Sequence, residues 1–180
     1  MKPVAVLQYA EADGPGHCAT YLDSRRTPWR LIRVHAGDPV PLRADAFRGI
    51  VLLGGPMSVN DDLPWMGRVL QLIRDAAGCG VPLLGHCLGG QLMSKAMGGV
   101  VTRNRVKEIG WGEVDVVPGS DAGQWFGAHR RLQVFQWHGE TFSIPPGATR
   151  VLTGDLCPNQ GFVLGPHLAL QCHKIGRAHV

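Results

Sequence analysis

Short apolar runs alternate with helix-compatible stretches along the first half of the chain. Runs of four to seven residues predict buried strands over 3–9, 29–34, 50–53 and 81–84. Helices are predicted near His17–Arg25 and after Asp61 or Asp62, either of which can cap a helix with Pro64 in its first turn. The buried face of this second helix is marked by Trp65, Val69, Leu70, Ile73, Ala76 and Ala77. Alternation of strand and helix predicts a parallel sheet with helices on its faces.

After a third predicted helix, Gly89–Met97, the periodicity changes to that of short strands. We predict four strands and a hairpin that turns near Gly165 and Pro166, with the bounds Val100–Arg103, Gly112–Val117, Leu132–Trp137, Thr149–Thr153 and Phe162–Cys172. The whole pattern predicts an α/β fold, a flavodoxin-like doubly wound sheet with an antiparallel extension. A chain of 180 residues suffices for one such domain with a sizeable core.

A glycine-rich segment, Gly85–Gln91, lies between the last strand of the first half and the third helix. Cys87 therefore falls at a strand-to-helix bend, the arrangement of a nucleophile elbow, which requires small neighbours on both sides. The positive end of the helix dipole should favour the reactive thiolate. The alternative is a buried structural cysteine followed by a glycine-rich turn.

Another glycine pair, Gly54 and Gly55, follows the strand over 50–53 and precedes Pro56. Glycine allows a backbone N–H to approach a ligand closely, and the proline holds the turn rigid. An ordinary strand-ending turn would have the same sequence. Of the eight histidines, His138 is attractive as a catalytic base because Glu140 follows it by two residues.

The elbow resembles that of the class I, or triad, glutamine amidotransferases, whose GxCxGxQ pattern is met by Gly85, Cys87, Gly89 and Gln91. The likeness extends over nearly the whole chain and is greatest to stand-alone, GMP-synthase-like members. It implies that Cys87 is the nucleophile and that the backbone N–H groups of Gly55 and Leu88 form the oxyanion hole. Gly54 would belong to the substrate-binding loop, and Gln91 would help to bind the substrate amide.

The same resemblance assigns the remaining site residues. The strand that ends in Gln171-Cys172-His173 is similar to the family's Gln-Phe-His-x-Glu, which makes His173 the base. His138 and Gly139 would then line the glutamine pocket. Glu108, in a segment similar to Glu-x-Gly-Trp, would bind the amino group of the substrate, although a surface carboxylate at the start of a strand is the alternative.

The sequence departs from the family after His173, because Ile175 stands where the triad glutamate is expected. Ile175–Val180 matches the translation of a common sequencing-library adapter. We therefore expect residues 1–173 to form the domain and residues 174–180 to be a non-native tail. Loss of the third triad member should impair acylation without abolishing binding. If the tail were genuine, His138 with Glu140 would become a rival base.

The resemblance implies hydrolysis of a γ-glutamyl amide through a γ-glutamyl thioester, with release of ammonia and with no metal or organic cofactor. The substrate would be glutamine or another γ-glutamyl compound, and a synthetase could act as partner in trans. A γ-glutamyl peptidase or hydrolase would use the same machinery. A non-catalytic homologue that binds a ligand or a partner is the third possibility.

Charge and cysteine content restrict the remaining function classes. The net charge of +4 falls to +2 without Lys174 and Arg177, and Arg25-Arg26 and Arg130-Arg131 are isolated pairs, so we expect no nucleic-acid binding. No apolar run approaches the length needed to cross a bilayer, and no leader opens the chain. The five cysteines lack paired spacing for disulfides or zinc. A cytoplasmic location is therefore predicted.

Overall fold

The computed structural model describes residues 1–173, and the predicted non-native tail, residues 174–180, lies outside the described residues. The strands are β1 (Val4–Gln8), β2 (Trp29–Arg33), β3 (Gly49–Leu52), β4 (Leu83–His86), β5 (Val101–Val116), β6 (Arg131–Phe142), β7 (Thr149–Thr153), β8 (Gly161–Leu164) and β9 (His167–Leu170). The α-helices are α1 (Gly16–Ser24), α2 (Met66–Cys79), α3 (Leu88–Ala96) and α4 (Ser120–Phe126).

All nine strands belong to one sheet with the order β2-β1-β3-β4-β9-β8-β7-β5-β6. The first five strands in this order pair in parallel, and the other four join through antiparallel pairs. This topology confirms the predicted α/β fold with an antiparallel extension. The hairpin of β8 and β9 inserts β9 beside β4, so the extension is continuous with the parallel part.

The inner parallel strands β1, β3 and β9 are buried on both faces, as is usual where helices cover a sheet, whereas the edge strand β2 is partly exposed. On one face, Leu7 and Leu52 pack in a core that includes the buried residues of α2 and α3. On the other face, Val6 and Val51 pack with partly buried residues of α1. Every residue of β1 is buried, which is why its sequence is a continuous apolar run rather than an alternating one.

Helix α2 begins later than the sequence suggests. Its first residue is Met66, and the carboxylate of Asp61 accepts a hydrogen bond from the Ser58 N–H, 2.9 Å away, within the preceding turn. The expected cap is therefore wrong, because Asp61 stabilises a loop instead of a helix start. Of the six residues predicted to be buried, Trp65 and Ala77 are only partly so.

The antiparallel extension differs most from the prediction. β5 is one strand of 16 residues rather than two short ones, with an irregular register against β6 between Arg103 and Glu108. In the middle of β5 the partly buried positions are Glu108, Gly110 and Gly112, whereas the apolar side chains of Ile109 and Trp111 are exposed. The sequence therefore lacks the apolar-inside, polar-outside alternation by which strands are recognised. Helix α4 was not predicted either, and it packs Ala122 and Phe126 on a second core beneath β7.

An aromatic row covers one face of the β5–β6 ribbon. Trp111 and Phe135 are cross-strand partners, and so are Ile109 and Trp137. The ring centroid of Phe135 lies 5.6 Å from that of Trp111 and 6.1 Å from that of Trp137. Ile109, Trp111 and Trp137 are nonetheless 60–67% exposed. We call these four side chains the aromatic row.

The carboxyl ends of β3, β4 and β9 lie side by side in the sheet. The chain continues from these ends into Gly54, Cys87 and His173 respectively, so three segments far apart in sequence meet at one edge. Among residues 1–173, no helix combines the length and the apolar character that a bilayer-crossing segment needs.

Candidate active site

Cys87 occupies a strained bend between β4 and α3. Its backbone has φ 51° and ψ −109°, a region that residues other than glycine rarely adopt, at a cost of about 1–3 kcal/mol. The Cys87 N–H donates to the Leu170 carbonyl at 2.8 Å, and the Gln91 N–H donates to the Cys87 carbonyl at 3.0 Å. These bonds fix the bend at the start of α3 and against β9.

The bend depends on three glycines that pack against backbone. A Cβ added at Gly85 would lie 2.6 Å from the Gly89 carbonyl, and one at Gly90 would lie 2.6 Å from the Leu170 oxygen. A Cβ at Gly89 would lie 2.1 Å from the Leu52 oxygen. Because backbone atoms cannot rotate away, any side chain at these positions would force α3 off the sheet.

His173 follows β9 and lies near Cys87. It exchanges backbone hydrogen bonds of 2.8 and 2.9 Å with Phe135 of β6. Gly54 marks the narrow gap between the two side chains: a Cβ added there would lie 3.0 Å from His173 Cε1 and 3.8 Å from Cys87 Cβ. The loop after β3 thus lies next to both the His173 imidazole and the Cys87 side chain.

The electrostatics of the thiol differ from the sequence prediction. Burial raises the pKa of Cys87 to about 11, and the Leu88 N–H only partly opposes this effect, while the Asp13 carboxylate adds to it. The expected dipole-stabilised thiolate is therefore wrong for this structure. Burial lowers the pKa of His173, with Asp13 opposing the shift. Burial thus favours the protonated form of the Cys87 thiol and the neutral form of the His173 imidazole.

The two predicted oxyanion-hole residues are neighbours. A Cβ added at Gly55 would lie 2.9 Å from Leu88 Cδ2 and 2.7 Å from Met57 Sδ, so the loop after β3 packs directly against the side chain at the start of α3. Within residues 1–173, the Gly55 N–H has no hydrogen-bond acceptor. The Leu88 N–H is directed at the Cys87 sulfur, where it lowers the pKa of the thiol.

Two buried glutamines form a wall behind the thiol. Gln91 Nε2 donates to the Glu140 carbonyl at 3.3 Å and to Gln171 Oε1 at 3.2 Å. Gln171 Nε2 in turn lies 3.8 Å from Cys87 Sγ. The Gln91 amide nitrogen, which we expected to face the substrate, is therefore engaged by the protein. Gln171 was not singled out from the sequence, although it precedes His173 by two residues.

The rival base, His138, is not paired with the Glu140 carboxylate. Its Nδ1–H donates to the Glu140 backbone carbonyl at 2.9 Å. The Glu140 carboxylate accepts from Ser58 Oγ at 2.8 and 3.0 Å instead. Burial lowers the pKa of His138. The neighbouring backbone reaches the nucleophile, since the Trp137 carbonyl lies 3.8 Å from Cys87 Sγ.

Glu108 faces His138 across the β5–β6 ribbon. Its side chain is only 11% exposed, so it is not a surface carboxylate. It accepts a hydrogen bond from Gln160 Nε2 at 3.1 Å, and burial raises its pKa. Gly139 lies on the same ribbon against the aliphatic chain of Lys107, which a Cβ would approach to 3.3 Å.

A cavity of about 930 Å³ borders His173. Asp13, His86 and Cys172 line it together with side chains of α1 and α4, whereas Cys87 does not. Burial lowers the pKa of His86 to about 4. Asp13, in the loop after β1, is the carboxylate that acts on both His173 and Cys87, and no sequence motif distinguished it.

Comparison with known proteins agrees with this geometry. The family profile described as glutamine amidotransferase class-I matches residues 18–173. The chain belongs to the class-I glutamine amidotransferase family. Both the elbow and the strand that ends at His173 lie inside the matched range, which confirms the resemblance inferred from the sequence.

Solved structures show the same fold for glutamine amidotransferases. A glutamine amidotransferase from Methylobacillus flagellatus superposes with a TM-score of 0.96 at 45% identity, over 99% of this chain and 72% of the other. One from Thermotoga maritima gives a TM-score of 0.88 at 33% identity, over 95% of this chain and 75% of the other.

Curated relatives are longer than the matched region. The glutamine amidotransferase-like protein YfeJ of Salmonella typhimurium is 32% identical over 157 residues, which are 78% of this chain and 62% of YfeJ. The glutamine-hydrolyzing GMP synthase of Acinetobacter baylyi is 34% identical over 119 residues, which are 65% of this chain and 21% of that protein. This amidotransferase chain thus spans less than two thirds of these relatives.

Proposed function

We propose that this chain hydrolyses the side-chain amide of glutamine and releases ammonia, with Cys87 as nucleophile and His173 as base. The observation that carries the proposal is the convergence of the strained elbow, the Gly54–Gly55 loop and His173 at one edge of the sheet. Membership of the class-I family supports glutamine as the substrate.

Proton transfer to His173 is the first step. With a pKa of about 11, roughly one thiol in 10⁴ is ionised at pH 7, so attack requires a base to remove the proton. The neutral imidazole accepts that proton while Sγ bonds to the amide carbon. The resulting oxyanion is stabilised by the N–H groups of Gly55 and Leu88, and loss of one such donor typically raises the barrier by about 3–4 kcal/mol.

Collapse of this intermediate breaks the carbon–nitrogen bond. His173 returns its proton to the leaving nitrogen, ammonia departs, and a γ-glutamyl thioester remains on Cys87. His173 then activates a water molecule, which attacks the thioester and frees glutamate. The step needs no metal ion or organic cofactor.

The pocket wall is built from β5 and β6. We assign the backbone of His138 and Gly139 to binding of the substrate, because the adjacent Trp137 carbonyl already faces the thiol. Glu108 is assigned to the substrate amino group. Gln91 supports this wall through the Glu140 carbonyl, so its contribution to amide binding is indirect.

Ammonia release needs an acceptor, which we assign to a synthetase that acts in trans. The matched GMP synthase of Acinetobacter baylyi is named as glutamine-hydrolyzing, and the match occupies 21% of its length. The match covers 65% of the present chain. A cytoplasmic location fits, since the five cysteines are all free thiols.

The test is ammonia release from glutamine by the wild type, Cys87→Ser and His173→Ala. Both variants should lose activity by roughly 10⁴-fold or more. Cys79→Ser is the matched control, because this exposed thiol lies at the end of α2 and its loss should leave the rate unchanged. Mass spectrometry of quenched reactions should show a γ-glutamyl adduct on Cys87.

Two outcomes would contradict the proposal. Faster cleavage of γ-glutamyl peptides than of glutamine would identify a peptidase or hydrolase. Neither ammonia nor an adduct, with glutamine still bound, would identify a non-catalytic binding protein.

A further inference from the structure

Three side chains with metal-ligating atoms converge outside the thiol–imidazole pair. Glu108 on β5, His138 on β6 and Cys157 in the loop between β7 and β8 place one ligating atom each within 4.8 Å of the other two. The side chain of His138 is 1% exposed and Cys157 is fully buried. Carboxylate, imidazole and thiol are the three ligand types that zinc uses in proteins.

The hydrogen bonds of His138 leave one ring nitrogen directed into this cluster. Because Nδ1–H donates to the Glu140 carbonyl, the neutral ring has a lone pair on Nε2. Nε2 is buried and has no hydrogen-bond partner among residues 1–173. Glu108 Oε2 lies 3.1 Å from it but not in hydrogen-bonding alignment. Two electron-rich atoms at this distance repel each other unless a proton or a metal cation lies between them.

Neighbouring groups hold the other two ligands in place. Gln160 Nε2 donates to Glu108 Oε2 at 3.1 Å, and Thr141 Oγ1 lies 3.1 Å from Cys157 Sγ. Metal ligands are commonly oriented by such outer hydrogen bonds, and removing one typically weakens metal binding about 10- to 100-fold. The cluster thus has both ligands and supporting contacts.

We propose that Glu108, His138 and Cys157 bind a divalent transition-metal ion, with zinc as the ion that fits this mixed donor set. Tetrahedral zinc with bonds of about 2.0–2.3 Å places its ligands roughly 3.3–3.6 Å apart, so the most separated pair must move inward by about 1 Å. The thiol releases its proton to solvent, and the thiolate and carboxylate balance the charge of the ion. Water fills the fourth position.

The zinc site joins three elements that are distant in sequence. β5, β6 and the loop before β8 would be connected by one ion, and binding should raise the melting temperature of the chain. The ion takes no part in the thioester chemistry, and its binding does not depend on glutamine hydrolysis. A Glu108 carboxylate bound to zinc cannot also hold the substrate amino group, so the zinc-bound chain and the proposed role of Glu108 in substrate binding exclude each other.

The experiment measures zinc affinity by competition with a chromogenic chelator, using the full chain with Cys87→Ser so that the nucleophile cannot bind metal. About one zinc ion per chain is expected, and cobalt in its place should show thiolate-to-metal charge-transfer absorption. Adding Cys157→Ser should weaken binding at least tenfold and remove that absorption. Adding Cys79→Ser instead, which removes an exposed thiol elsewhere, should change neither the zinc affinity nor the charge-transfer absorption.

Thr141→Val provides a second variant that keeps all three ligands, and it should weaken zinc binding about tenfold. If Cys157→Ser does not fold, as judged by circular dichroism, Glu108→Gln replaces it with the same expected loss. Equal affinity of the ligand variants and their parent would overturn the proposal, since it would mean that zinc binds surface histidines. Absence of zinc binding by the parent would also overturn it and would leave a proton shared between Glu108 and His138.

Discussion

Gly54→Ala should slow the reaction without unfolding the protein. The new methyl group would lie 3.0 Å from His173 Cε1, whereas ordinary carbon contacts begin near 3.4 Å, so the imidazole must move by about 0.4 Å. Gly54 does not have a positive φ, and its backbone can therefore accept alanine. The substitution should therefore change only the space between His173 and Cys87.

The expected loss follows from this displacement. A misplacement of 1 Å costs about 10²-fold in rate, so a shift of roughly half that size should lower kcat about tenfold. KM for glutamine should change little, because the methyl group contacts the base rather than the β5–β6 wall. Steady-state ammonia release gives both constants, and urea unfolding gives the stability, which should fall by less than about 1 kcal/mol.

Gly67→Ala is the matched control. Gly67 lies in α2 with no atom within 4 Å of an added Cβ, so alanine should leave kcat unchanged and stabilise the helix by about 0.5–1 kcal/mol. If Gly54→Ala kept a kcat within twofold of the wild type, His173 would not be positioned against this loop during the reaction, and its assignment as the base would be wrong.

Three further predictions concern the protons and carboxylates of the site. Alkylation of Cys87 by iodoacetamide, followed by peptide mass spectrometry, should accelerate with pH up to about 11, because burial raises the pKa of this thiol; a plateau below pH 8 would contradict that shift. Asp13→Asn should lower the pKa of His173 further, since the carboxylate opposes the effect of burial, and an imidazole NMR titration that moved upward would refute it. Glu140→Gln should change kcat by less than twofold, because its carboxylate contacts Ser58; a loss comparable to that of His173→Ala would restore Glu140 as a catalytic partner.

The parallel half of the fold was predictable because its signals are local. Continuous apolar runs gave β1, β3 and β4, and the glycine spacing placed Cys87 at the bend. The ribbon of β5 and β6 was not predictable in the same way. The partly buried face of its middle carries Glu108 and two glycines instead of apolar side chains, and pairing between distant strands, rather than local pattern, holds it together.

The chemistry of the site was predictable in part for a similar reason. A helix N-terminus at Cys87 can be recognised from the sequence, and the helix dipole by itself lowers the pKa of a thiol at that position. The burial that outweighs this effect arises only in the folded chain, which brings the Trp137 carbonyl and the Gln171 amide to the sulfur. The sequence did not indicate the positions of Asp13 and Cys157 either, because each lies in a loop without a recognisable motif.

The side chain and the carbonyl group of Trp137 lie in different surroundings, one at the surface and one beside Cys87. Its indole belongs to the aromatic row and is 66% exposed, whereas its carbonyl oxygen lies 3.8 Å from Cys87 Sγ. Only the backbone of Trp137 therefore lies between the outer face of the ribbon and the Cys87 sulfur. A molecule that covered the aromatic row and changed the twist of β6 would alter the surroundings of Cys87 directly, without a relay through the rest of the fold.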